Sequence, residues 1–105
     1  MDSGTRRAGL ALLAVLALPS VGATEGFDLA AVQVLAGPCA NCHGPDGHSP
    51  GAIPSIAGLP AGETRDKLTA FRDGSAPATV MARLMKGYDE AEIAALAEWF
   101  SEVRQ

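Results

Sequence analysis

Cysteine is scarce in this chain of 105 residues: there are two, Cys39 and Cys42, and no third. That permits at most one disulfide. A structural zinc site needs about four ligands, and after Cys39, Cys42 and His43 only one more histidine, His48, remains. Aromatic residues are equally few, three Phe, one Tyr and one Trp. A short chain has difficulty burying enough apolar surface by itself, so something other than side chains is expected to complete the core. No segment reads as a convincing strand, and no internal repeat, low-complexity tract or second domain is evident. A thioredoxin-like redox disulfide is therefore disfavoured, because its C-x-x-C belongs at the start of a helix in an α/β pattern. Basic residues are outnumbered, eight against twelve acidic ones. Such a surface does not suit nucleic acid or anionic lipid.

Long apolar runs are also missing. The longest, Ala8–Leu18, has 11 residues, too short to cross a hydrocarbon core of about 30 Å at about 1.5 Å per residue. It follows Arg6 and Arg7 and precedes Pro19–Ala23, where Val21 and Ala23 are small. That is the layout of a secretory signal peptide cleaved after Ala23, with an uncleaved anchor or a buried hairpin helix as the alternative. Residues 1–23 are expected to be removed, leaving one domain over 24–105. This mature part holds 82 residues with 6 basic and 11 acidic side chains. Its destination would be the oxidising periplasm.

Helical patterns fill the remainder, so the fold class expected is all-α. Leu29, Val32 and Ala36 share one face of a first helix, which Gly37-Pro38 is expected to end. Gly44–Leu59 holds four glycines and three prolines and reads as a long, functional loop. A helix over Ala61–Gly74 turns Leu68 and Phe71 inward, with Gly74 as its cap, and Ala76–Gly87 reads as a shorter one. Asp89 and Glu92 have the spacing of a capping box. The stripe Ile93, Leu96, Ala97, Phe100 and Val103 then marks a final helix.

The two cysteines lie in "CANCH", Cys39–His43. C-x-x-C-H is the pattern of covalent haem attachment: two thiols add to the porphyrin vinyl groups and the adjacent histidine ligates iron. A bound haem also supplies the missing core. His43 gives one axial ligand, and His/Met ligation is known for c-type haems. Met81 and Met85 are four residues apart on one helical face, so spacing does not separate them. His48 lies in the Gly/Pro loop only five residues after His43, poorly placed for the opposite haem face. Pro54 opens P-x-I-x-G, and its carbonyl is positioned to accept the free ring N–H of His43. Trp99 packs either on the haem or between helices. Without haem, Cys39, Cys42, His43 and Met81 are soft donors of a kind that suits Cu(I).

An N-terminal helix, C-x-x-C-H-G at Cys39–Gly44, P-x-I-x-G at Pro54–Gly58, a distal methionine and a C-terminal helix together resemble the class I c-type cytochromes. The resemblance spans essentially the whole mature chain and implies a small helical domain around one covalent haem c. Thr79–Tyr88, "TVMARLMKGY", is further similar to the segment before the last helix in the haem subunit of flavocytochrome c sulfide dehydrogenases. That similarity implies Met81 as the iron ligand and puts Met85 at a variable position. It also implies a heterodimer with a flavoprotein subunit that carries FAD and oxidises sulfide, electrons passing through this chain to a soluble acceptor. With six-coordinate iron the chain would have no catalytic residues of its own. A free periplasmic electron carrier of the same fold is the alternative, and a haem enzyme or gas sensor with an open distal site a third.

Overall fold

A computed structural model describes residues 4, 9, 11–17 and 26–104. Arg6, Arg7 and Pro19–Ala23, on which the cleavage-site expectation falls, lie outside the described residues. Residues 11–17 form no helix and are exposed. Among the described residues no helix is long and apolar enough to cross a membrane.

Four α-helices follow, and no strand occurs among the described residues: α1 (Leu29–His43), α2 (Ala61–Asp73), α3 (Val80–Leu84) and α4 (Glu90–Ser101). Short 3₁₀ turns at Pro45–Gly47 and Met85–Gly87 lead out of α1 and α3. The Asp28 side chain starts α1 by accepting from the Ala31 N–H at 2.8 Å. The expected end at Gly37-Pro38 is corrected: the helix runs through Pro38 to His43. Proline removes only its own donor, leaving the Val34 carbonyl without its helical partner. The next turn then regains regular bonding and closes when the Gly44 N–H donates to the Ala40 carbonyl at 3.0 Å. Leu29 is also corrected. It stands in the first turn and is 66% exposed, whereas Val32 and Ala36 are buried as the pattern requires.

Gly74 ends α2 in the left-handed region (φ 79°), and Leu68 and Phe71 are half-buried. The Asp89–Glu92 capping box is formed on both sides, at 2.8 and 3.0 Å. It sets the register that buries Ile93, Leu96, Ala97 and Phe100, half of the eight apolar side chains buried in the described structure. Val103 lies beyond α4 and is half-buried. α4 packs against both α2 and α1. Its end also pins the loop, since the Gly58 N–H donates to the Phe100 carbonyl at 2.8 Å.

Candidate functional site

The last two turns of α1 carry Cys39, Cys42 and His43. Separations of three and four residues put both Cys42 and His43 beside Cys39 on the helix surface. Cys39 is half-buried and Cys42 exposed, and neither is in a disulfide. Burial pushes the Cys39 thiol up, partly offset by a bond to its own backbone N–H.

His43 is held by the loop that follows. Its Nδ1 donates to the Pro54 carbonyl at 2.6 Å, and this tautomer leaves the Nε2 lone pair free to ligate a metal. The loop reaches this position through a tight return. Gly44 (φ 84°) and Gly47 (φ 82°) both adopt positive φ. The Gly47 carbonyl then accepts from the N–H groups of Ile56 and Ala57 at 2.9 and 3.2 Å. A side chain on Gly44 would run into the His48 carbonyl, and one on Gly47 would press on Ile56 and the Phe100 ring. His48 itself is exposed, its backbone N–H taken by Pro45.

The two methionines separate by burial. Met85 is 2% exposed and part of the packed interior, while Met81, on α3, is half-buried. Trp99 stands edge-on to Phe100, ring centroids 4.7 Å apart at 79°. With Gln33, Ala36, Gly37 and Ala40 it borders a groove along the α1–α4 seam. Tyr88, not singled out in the sequence, donates its hydroxyl to the Leu35 carbonyl at 3.2 Å. Burial, then the neighbouring charges of Cys39 and Glu92, push its phenol up. Its signal was available: it is the only tyrosine, set just before the α4 cap.

Among the described residues no three His, Cys, Asp or Glu side chains are gathered as an ion site, which gives the copper reading no preformed cluster. The donor set fits haem instead. Two unpaired thiols stand within one turn before a histidine whose ring is already fixed by a carbonyl. Ile56, Leu59, Leu68, Phe71 and Met81 are apolar side chains that protein packing leaves half-buried. A flat apolar macrocycle matches both features.

The family model for cytochrome c matches residues 29–104. The chain belongs to the cytochrome c family. As such it is an electron-transfer protein that carries haem c covalently. The cytochrome is 42% identical over 71 residues to the cytochrome subunit of sulfide dehydrogenase from Chlorobaculum tepidum, covering 68% of this chain and 64% of that one. It is 35% identical over 95 residues to a thiosulfate dehydrogenase electron acceptor from Thiomonas intermedia, covering 86% and 44%. Cytochrome c-553 of Nitratidesulfovibrio vulgaris is 30% identical over 99 residues, covering 85% and 97%. The chain thus spans less than two thirds of the length of the first two relatives.

Proposed function

We propose that this cytochrome is the electron-transfer subunit of a flavocytochrome c sulfide dehydrogenase. It accepts electrons from an FAD-bearing flavoprotein partner that oxidises sulfide and delivers them to a soluble acceptor. The observation that carries the reading is the 42% identity to a sulfide dehydrogenase cytochrome subunit. The outward side of α1 supports it. That helix has no acidic residue, lysine or arginine over 15 residues, and it leaves Val34 78% exposed. An uncharged apolar face suits a lasting subunit contact, whereas a diffusing shuttle relies on a charged rim for steering and release.

In this reading Cys39 and Cys42 would hold the haem covalently, and His43 and Met81 would ligate its iron. The haem, when bound, supplies reversible one-electron chemistry. The chain's own residues orient and enclose it: Pro54 fixes the His43 ring, and buried Met85 anchors the segment that bears Met81. Residues 1–23 act as an export signal, placing the mature domain in the periplasm.

An absorption spectrum of protein purified gently from its native host, before and after sulfide, tests the proposal. A flavin shoulder beside c-type bands, with the haem reduced by sulfide, is expected. A c-type spectrum alone, unresponsive to sulfide but reduced by dithionite, overturns the subunit reading in favour of a free carrier.

A further inference from the structure

We infer that Tyr88 is a positioning residue for the sixth iron ligand: through the Leu35 carbonyl it ties the segment bearing Met81 to the helix bearing Cys39, Cys42 and His43. The inference rests on the reading of Met81 as that ligand. Leu35 and Tyr88 are 53 residues apart in sequence. Among the described residues this is the only hydrogen bond from a side chain of residues 74–104 to α1. The tie falls at a particular place on each side. On α1 it lands one turn before Cys39, next to the Val34 carbonyl that Pro38 deprives of its helical donor. That weakened turn therefore receives a bond from outside the helix. On the distal side Tyr88 closes the 3₁₀ turn after α3, its N–H donating to the Met85 carbonyl at 3.2 Å.

Met81 thus lies between two fixings. Upstream, Ala76 and Ser75 bond back to the Ala70 carbonyl of α2 at 3.1 and 3.3 Å. Downstream, Met85 is buried and Tyr88 is bonded to α1. Only the downstream fixing refers α3 directly to the helix on which the haem is attached. The Tyr88 ring packs on the cluster of Ala36, Leu96 and Phe100 together with Cys39, so the hydroxyl bond is held by packing as well as by its acceptor.

The holoprotein tests this with Tyr88→Phe, which deletes only the hydroxyl. Its partner is Asp89→Ala, which weakens the adjacent α4 cap and leaves the tie to α1 in place. Two signals are read: the sulfur-to-iron charge-transfer band of the ferric protein and carbon monoxide binding by the ferrous protein. Tyr88→Phe is expected to weaken the band on warming and to open the sixth position about fivefold more often, the worth of one hydrogen bond. Asp89→Ala should lower the unfolding midpoint without moving either signal. Equal behaviour of the two variants overturns the inference, leaving Tyr88 a stability residue. A Met81→Leu protein that keeps the band overturns the ligand reading and the tie with it; a band lost in Met81→Leu but unmoved in Tyr88→Phe overturns the tie alone. If Tyr88→Phe fails to accumulate, the unaltered holoprotein decides. Loss of the band and loss of the folded Tyr88 ring resonances on heating should share one midpoint, and earlier loss of the band overturns the tie.

Discussion

His43 Nδ1 and the Pro54 carbonyl are 2.6 Å apart, so the ring of the proposed iron ligand is oriented by a main-chain atom of the glycine- and proline-rich loop. The acceptor cannot be deleted by substitution, but its placement can be loosened. Pro54→Gly is expected to cost about 0.4–1 kcal/mol or somewhat more, through the freer unfolded chain and the less rigid loop. Urea unfolding of the ferric holoprotein measures it, and an unchanged midpoint would show that the proline ring does not hold the carbonyl in place.

Met81 and Met85 should fail in different ways. Met81→Leu is expected to bind carbon monoxide readily in the ferrous state, with a modest change in stability. Met85→Ala, at a site 2% exposed, should cost about 2–5 kcal/mol and keep the spectrum of the unaltered protein. The reverse pattern would exchange their roles.

Gly44→Ala combines a positive φ of 84° with a collision on the His48 carbonyl. Backbone strain of this kind costs about 1–3 kcal/mol, and the collision adds to it. The expected result is a sharp drop in holoprotein yield and unfolding midpoint. Gly37→Ala, where an added Cβ would meet nothing within 4 Å, should be neutral or slightly stabilising.

Tyr88 gives the fold an alkaline limit. Burial raises its phenol above the ordinary value, so the folded state holds that proton more tightly than the unfolded chain. Its contribution is whole below a pH of about 10, where unfolded tyrosine titrates, and is lost as pH rises through the folded value. Urea midpoints followed across that range should fall, and Tyr88→Phe should flatten the component due to this residue.

The parts legible in the sequence are those governed by neighbours in the chain. The Asp89–Glu92 box, the Gly74 cap and the α4 stripe from Ile93 to Phe100 follow from spacings within four residues, and each is formed; only Val103, past the end of the helix, falls outside the stripe. Gly37-Pro38 misled because a helix can lose one donor and continue when the next turn is capped, here by Gly44 on Ala40. Leu29 obeys the period of α1, but the helix begins before its partners do. Pairings between Tyr88 and Leu35, or between Gly58 and Phe100, join segments far apart in the chain. No local pattern encodes them. The attachment motif was readable because its chemistry is local; that Met85 is buried and Met81 half-buried, though they share one helical face, is a property of the folded chain.

The distribution of buried side chains orders events in time. The attachment motif sits in α1, while α4 contributes half of the buried apolar residues among those described. During synthesis the cysteines and histidine are therefore complete long before the segment that closes the interior emerges. A chain interrupted ahead of Glu90 would still present the whole C-x-x-C-H sequence yet have no means of enclosing what it attached. In chain order the attachment motif comes in the first helix and the residues that close the interior in the last.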